Sequence, residues 1–216
     1  MQKEDYIRIV QDRPWSEMEK YFDAQKPLVI DRLCNINVDE QQWIQFTVDN
    51  FDLAQQKWES PKDHYDEYEK KWAKMNNLLG RDQQNSFELN YGINGDTNQK
   101  LKALLGVNNI AKLHADPDTV LVRLLVKMPG HGVAWHQDGN NSYKKIFPDV
   151  DHSKVKRYWF NLQDWKDGQA FQISKSVITH WKAGDVYEIP FGTGHASSNF
   201  GYSPWYTVSF TGLIKD

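Results

Sequence analysis

The sequence predicts a mainly β fold, a sandwich or barrel of jelly-roll type, with helices from the N-terminal half packed against one face. Three observations predict it. From Thr119 onward, short segments rich in β-branched and aromatic residues alternate with Gly, Pro, Asp and Asn. Up to about residue 112, apolar residues recur at helical spacing instead. No internal repeat, low-complexity tract or flexible linker divides the two regions. Residues 1–112 are therefore expected to pack on a β core formed by 113–216, within one domain.

In chain order, Leu28–Leu33 reads as a strand. Asn37-Val-Asp-Glu40 resembles a capping box, and Ile44, Val48 and Phe51 follow at helical spacing. Tyr65, Tyr68, Trp72, Met75 and Leu79 step by three and four, with Gly80 as a stop, and predict a second helix with its aromatic stripe in the core. Ser86–Tyr91 reads as a strand and Lys100–Leu105 as a short helix. The strands expected after Thr119 are Val120–Met128, Val133–Asp138, Val155–Gln163, Ala170–Ile173, Ser176–Trp181, Asp185–Ile189, His195–Ser197 and Tyr206–Leu213. Pro129-Gly130 and Ala183-Gly184-Asp185 mark turns. The stretch Gly139–Ser153 is either a lid over a site or a disordered surface insertion.

A chain of 216 residues buries roughly 70% of its unfolded surface, enough for a self-sufficient core. Lys and Arg total 26 against 29 Asp and Glu, with no basic block, so neither nucleic acid nor an anionic membrane is expected as a partner. Cys34 is the only cysteine, which excludes an internal disulfide and fits a reducing compartment. The start, Met-Gln-Lys-Glu-Asp, is too polar for a signal peptide, and no apolar run approaches the ~20 residues that cross a bilayer. A cytoplasmic monomer or dimer is the expectation.

The most informative residues are His136, Asp138 and, much later, His195 in Phe191-Gly-Thr-Gly-His. Two imidazoles and one carboxylate can occupy one face of an octahedral Fe(II), leaving the other face for a co-substrate and O2. In an extended strand residues i and i+2 point the same way, so His136 and Asp138 can reach one ion together. The second histidine then arrives from a later strand pairing nearby. These three are the metal and catalytic candidates. Of the seven histidines, His64, His114, His131, His152 and His180 lack a matching partner pattern; His131, at the turn before the motif, is the best of them.

The runs Met128-Pro-Gly-His-Gly-Val-Ala-Trp-His-Gln-Asp138, Arg157-Tyr-Trp-Phe-Asn-Leu, Trp181-Lys-Ala-Gly-Asp185 and Gly194-His195-Ala-Ser-Ser-Asn199 resemble the Fe(II)/2-oxoglutarate-dependent oxygenases. They are most similar to the aspartyl/asparaginyl β-hydroxylase-like or prolyl-hydroxylase-like branches. The resemblance covers about residues 119–213. It implies a double-stranded β-helix with the triad at its open end. It also implies 2-oxoglutarate as co-substrate, O2 as oxidant, and hydroxylation of an amino-acid, peptide or protein C–H bond with release of succinate and CO2. Compact oxygenases of this plan occur in phages and bacteria; for a phage gene, the compartment is the host cytoplasm.

2-Oxoglutarate chelates iron at one end and needs a cation and a hydroxyl at the other. Many family members place an Arg about ten residues after the distal His; here Trp205 stands there. Strand parity offers a replacement. One face of Val155–Gln163 carries Arg157, Trp159, Asn161 and Gln163, polar with one large aromatic, as a ligand pocket would be. The opposite face, Lys156, Tyr158, Phe160 and Leu162, reads as core apart from Lys156 at its start. Arg157, Trp159 and Asn161 are thus the co-substrate candidates, with Thr207 and Ser209 as hydroxyl donors. Arg123 and Lys127 share a face that reads first as solvated and second as a further anchor. Two other classes keep part of the pattern: a cupin-type metal enzyme using the same ligands without 2-oxoglutarate, and a non-enzymatic jelly-roll binding module whose histidines are incidental.

Overall fold

In a computed structural model, residues 30–54, 88–92 and 95–215 are described, together with Glu4, Ile7 and Gln11. The predicted helix at Tyr65–Leu79 lies outside the described residues. All eight expected strands after Thr119 form, with ends shifted by a few residues: β3 (Leu121–Lys127), β4 (His131–Gln137), β5 (Val155–Asn161), β6 (Gln169–Ile173), β7 (Ser176–Ile178), β8 (Asp185–Glu188), β9 (Gly194–Asn199) and β10 (Trp205–Leu213). Two earlier strands, β1 (Arg32–Asn35) and β2 (Glu88–Tyr91), extend the edges of one sheet. The first begins later than expected, because its pairing partner is the Asp185–Tyr187 stretch of β8.

The major sheet runs β1-β8-β5-β10-β3-β2 and the minor sheet β4-β9-β6-β7. Every pairing is antiparallel. From β3 onward the chain passes repeatedly between the two sheets, which makes a double-stranded β-helix of jelly-roll type. Alternation along each major-sheet strand divides the apolar residues into two cores. The outward face (Val122, Leu124, Val126, Tyr158, Phe160, Val208, Phe210) packs under the helices with Trp43, Leu101, Leu105 and Ile110. The inward face (Trp159, Tyr187, Ile189, Trp205) meets Phe171, Ile173 and Ile178 of the minor sheet. No helix among the described residues is long and apolar enough to cross a membrane.

Among the described residues within 30–215, the α-helices are α1 (Glu40–Asp49), α2 (Gly95–Leu105), α3 (Val107–Lys112) and α4 (Asn141–Ile146). The cap of α1 is Asp39, whose carboxylate accepts from Gln41 N and Gln42 N, two residues later than the predicted Asn37. Its buried stripe is Trp43 and Thr47, whereas Val48 and Phe51 are exposed. The i, i+4 pair that includes the largest apolar side chain faces the core and turns the expected stripe outward. The stretch after Asp138 is an ordered segment, not a disordered insertion. It holds α4, and the buried Tyr143 ring contacts Phe147 and His152.

The Trp181-Lys-Ala-Gly-Asp185 turn has a structural explanation. Gly184 has φ +78°, and a Cβ there would strike the Ile36 carbonyl. Asp185 accepts from Lys182 N at 2.8 Å and Asn35 Nδ2 at 3.0 Å, so this carboxylate ties β1 to the sheet.

Candidate metal centre

Strands β4 and β9 pair so that His136 lies directly opposite His195. Opposed residues of an antiparallel ladder share a face with Cα atoms about 5 Å apart, so strand register alone brings the two imidazoles together. Their ring centroids are 4.2 Å apart. Asp138 follows the last residue of β4. Its Oδ1 lies 3.7 Å from His136 Nε2, and its Oδ2 lies 3.3 Å from His195 Nε2. One ligand atom from each of the three falls within 4.8 Å of the others. Neighbouring ligands on one ion with bonds near 2.1 Å stand about 3 Å apart. Small side-chain rotations therefore bring all three onto a common ion. They come from one sheet, so they cover one side of it.

The donor chemistry fits a divalent ion. His195 Nδ1 is 2.9 Å from the Thr193 carbonyl. A carbonyl only accepts, so Nδ1 carries the proton and the Nε2 lone pair is left for a metal. Burial alone would raise the Asp138 carboxyl, but His136, then His195 and Arg157, hold it well below the usual carboxylate range. The group is therefore an anion ready to coordinate. Sequence reasoning had no signal for Thr193, which acts through its backbone oxygen.

Arg157 is the second notable feature. Its Nη1 donates to Asp138 Oδ2 at 2.6 Å, and its Nε reaches the Ile189 carbonyl at 3.4 Å. The guanidinium carbon lies 5.5 Å from the Phe191 ring centroid. Nη2 is buried with no hydrogen-bond partner. Burial lowers the guanidinium from its ordinary value, Asp138 opposes that shift, and the like charge of Arg123 adds to it. Strand parity placed Arg157 on the inner face; its grip on Asp138 was not legible, because that carboxylate follows a strand of the other sheet.

The other co-substrate candidates divide. Trp159 stacks on Phe171, centroids 4.2 Å apart, within the inner core. Asn161 Oδ1 accepts from Trp205 Nε1 at 2.7 Å, and Thr207 Oγ1 donates to the Phe160 carbonyl at 3.0 Å. Ser209 is half-buried. Trp205 is fully buried and stacks on Trp181, centroids 5.1 Å apart. The face carrying Arg123 and Lys127 is not solvated as first read. Lys127 is 3% exposed, and its ammonium lies 4.7 Å from the Trp205 ring centroid. His131 pairs with Asn199 at the far end of β4, away from the triad. No second cluster of metal-binding groups exists among the described residues.

No family model and no curated protein matches this chain. Among solved structures it is similar to a predicted oxalate decarboxylase from Thermotoga maritima, at 17% identity over 45% of this chain and 70% of that one, with a TM-score of 0.32. It is also similar to a cupin domain from Bordetella pertussis, at 16% identity over 45% and 82%, with a TM-score of 0.30. KdgF from a Halomonas species aligns at 11% identity over 45% and 72%, with a TM-score of 0.30. Nothing about the chemistry of this chain follows from these likenesses. The fold assignment stands on its own strand order.

Proposed function

We propose that the chain is an Fe(II)- and 2-oxoglutarate-dependent oxygenase that hydroxylates a C–H bond of an amino-acid, peptide or protein substrate. The supporting observation is the one-sided convergence of His136, Asp138 and His195, the ligand set that leaves three positions of an octahedral Fe(II) open. When bound, Fe(II) with 2-oxoglutarate and O2 supplies the oxidising power for hydroxylation, with release of succinate and CO2.

The chain's own groups set the geometry. Thr193 fixes the His195 tautomer and ring direction through the Nδ1 contact. Arg157 holds Asp138 Oδ2, which leaves Oδ1 turned toward His136. The unpartnered Arg157 Nη2 and the Ser209 hydroxyl are assigned to the co-substrate. The packed rings of Trp159, Phe171, Trp181 and Trp205 exclude water from the barrel behind the site. The segment carrying α4 leaves directly from Asp138 and is assigned to one wall of the substrate site.

One observation favours a second reading, a cupin-type metal enzyme without 2-oxoglutarate: Trp205 occupies the place where the resembled family keeps its anchor. The deciding experiment incubates the protein anaerobically with Fe(II) and 2-oxoglutarate, admits O2, and measures succinate with and without candidate amino acids and peptides. Succinate that depends on Fe(II) and vanishes in Asp138→Ala supports the oxygenase. Metal binding without succinate supports the second reading. Unchanged metal content in His136→Ala and Asp138→Ala returns the chain to the non-enzymatic module.

A further inference from the structure

The inner core places an unbroken run of rings between the metal site and the edge of the major sheet. The Phe171 ring lies 5.8 Å from the His195 imidazole, centroid to centroid. Phe171 stacks on Trp159 at 4.2 Å with the planes 16° apart. Trp159 lies directly opposite Tyr187 across the β5–β8 ladder, and their ring centroids are 5.8 Å apart. Tyr187 in turn faces Arg32 of β1, the edge strand. The run thus leads from a metal ligand to the strand next to the edge through ring contacts alone. Aliphatic side chains fill space in this core equally well, as Ile173 and Ile178 do; indole and phenol differ from them in giving up an electron readily. A second branch leads from Trp159 to Trp205, centroids 6.0 Å apart. The Lys127 ammonium, 4.7 Å from the Trp205 centroid, opposes a positive charge on that ring, all the more where burial keeps the dielectric low. An oxidised Tyr187 is neutral once its phenolic proton leaves, and a neutral group tolerates burial better than a charged one. The branch that ends at Tyr187 is therefore the favoured one.

We propose that Phe171, Trp159 and Tyr187 form a relay that carries oxidising equivalents away from the metal site when oxygen is activated with no substrate C–H bond in place. The oxidised site takes one electron from Trp159, with the Phe171 ring as the bridge. Trp159 is refilled by Tyr187, which releases its phenolic proton and becomes a neutral radical. A small reductant of the thiol or enediol class, arriving at the sheet edge, returns one electron and one proton to Tyr187. Excluding competing reactions falls to the protein around an oxidising centre. Here the relay spares His136, His195 and the Trp135 ring that packs against Gly194. The inference needs redox-active iron at the triad, which the oxygenase reading supplies, and its test separates the two.

In the experiment, the Fe(II)-loaded protein, without 2-oxoglutarate or substrate, is mixed anaerobically with one equivalent of hydrogen peroxide, freeze-quenched and read by electron paramagnetic resonance. Peroxide takes two electrons, one from Fe(II), which becomes Fe(III), and one from Tyr187. The phenolic proton and one proton from solvent complete two waters. Wild type is expected to give a tyrosyl signal, identified by its change of splitting in protein made with ring-deuterated tyrosine. The signal is lost in Tyr187→Phe and in Trp159→Phe. In both variants, peptide mass spectrometry finds more oxidation at His136, His195 and Trp135 than in wild type. Unchanged Fe(II) affinity certifies each variant as folded; should Trp159→Phe lose Fe(II), Tyr187→Phe decides by the same criterion. Oxidation of wild type to Fe(III) without a tyrosyl radical, or a signal that persists in a folded variant, overturns the relay and leaves the oxygenase standing. Failure of wild type to bind Fe(II) overturns both.

Discussion

Trp205 is the residue where the sequence departs most from the family it resembles, and its packing makes a quantitative prediction. The indole is fully buried, stacks on Trp181, lies beneath the Lys127 ammonium and donates to Asn161 Oδ1. Trp205→Phe keeps a ring in place and removes the donor. The orphaned acceptor costs about 1–3 kcal/mol, and the smaller ring leaves a void worth roughly 1 kcal/mol more. A total loss of about 2–4 kcal/mol is expected. Trp205→Ala adds a larger cavity and the loss of the cation–π contact, and is expected to lose about 5 kcal/mol or more. That is a large part of the total stability of a domain, on the order of 5–15 kcal/mol. Urea unfolding followed by intrinsic fluorescence and circular dichroism measures the midpoint shift at constant m. The hydrogen bond is isolated by the cycle of Trp205→Phe with Asn161→Ala, whose coupling energy is expected to be about 1–2 kcal/mol. A Trp205→Phe loss below about 0.5 kcal/mol, or strict additivity in the cycle, refutes the role given to this indole.

Three further outcomes follow from the site and the core. With Mn(II) at about 100 times its Kd, wild type gains about 2.7 kcal/mol, which raises Tm by about 5–11 °C at this size; His136→Ala and Asp138→Ala should show no such rise in a thermal scan. Gly194→Ala would set a methyl carbon 2.6 Å from the Trp135 ring beside His195. It should lose about 1–3 kcal/mol and weaken Mn(II) binding by about 10-fold or more, and unaltered affinity by calorimetry would contradict the packing described. Burial, then Glu188 and Cys34, push the Tyr158 phenol up to about 12. Because the folded value is raised, its stabilising contribution is full below the unfolded value near 10 and is lost as pH rises through about 12. Tyr158→Phe should flatten that part of the alkaline loss in urea melts, and an equally steep loss would contradict it.

Much of the core was legible because strand signals are local. Turn residues and β-branched runs located all eight barrel strands, and parity separated Arg157, Trp159 and Asn161 from Tyr158 and Phe160 correctly. The triad was legible because strand periodicity alone lets His136 and Asp138 share a side. That His195 would lie opposite His136 depended on a register no local pattern encodes. The capping motif pointed to Asn37 while Asp39 caps α1, since both types are favourable caps and the surrounding structure chooses between them. Helix α3 was missed because it is six residues long and begins after Gly106 at positive φ, with no periodic run to show it. The solvated face expected for Arg123 and Lys127 failed for another reason: alternation shows that residues share a side but not which side the second sheet covers.

The most direct test of the central claim is a crystal structure of the protein grown anaerobically with Mn(II) and 2-oxoglutarate. The account predicts one ion bound to His136 Nε2, an Asp138 carboxylate oxygen and His195 Nε2, each at about 2.0–2.2 Å, with the opposite side taken by the ligand and water. An ion held elsewhere, or one that leaves any of these three side chains uncoordinated, would contradict it.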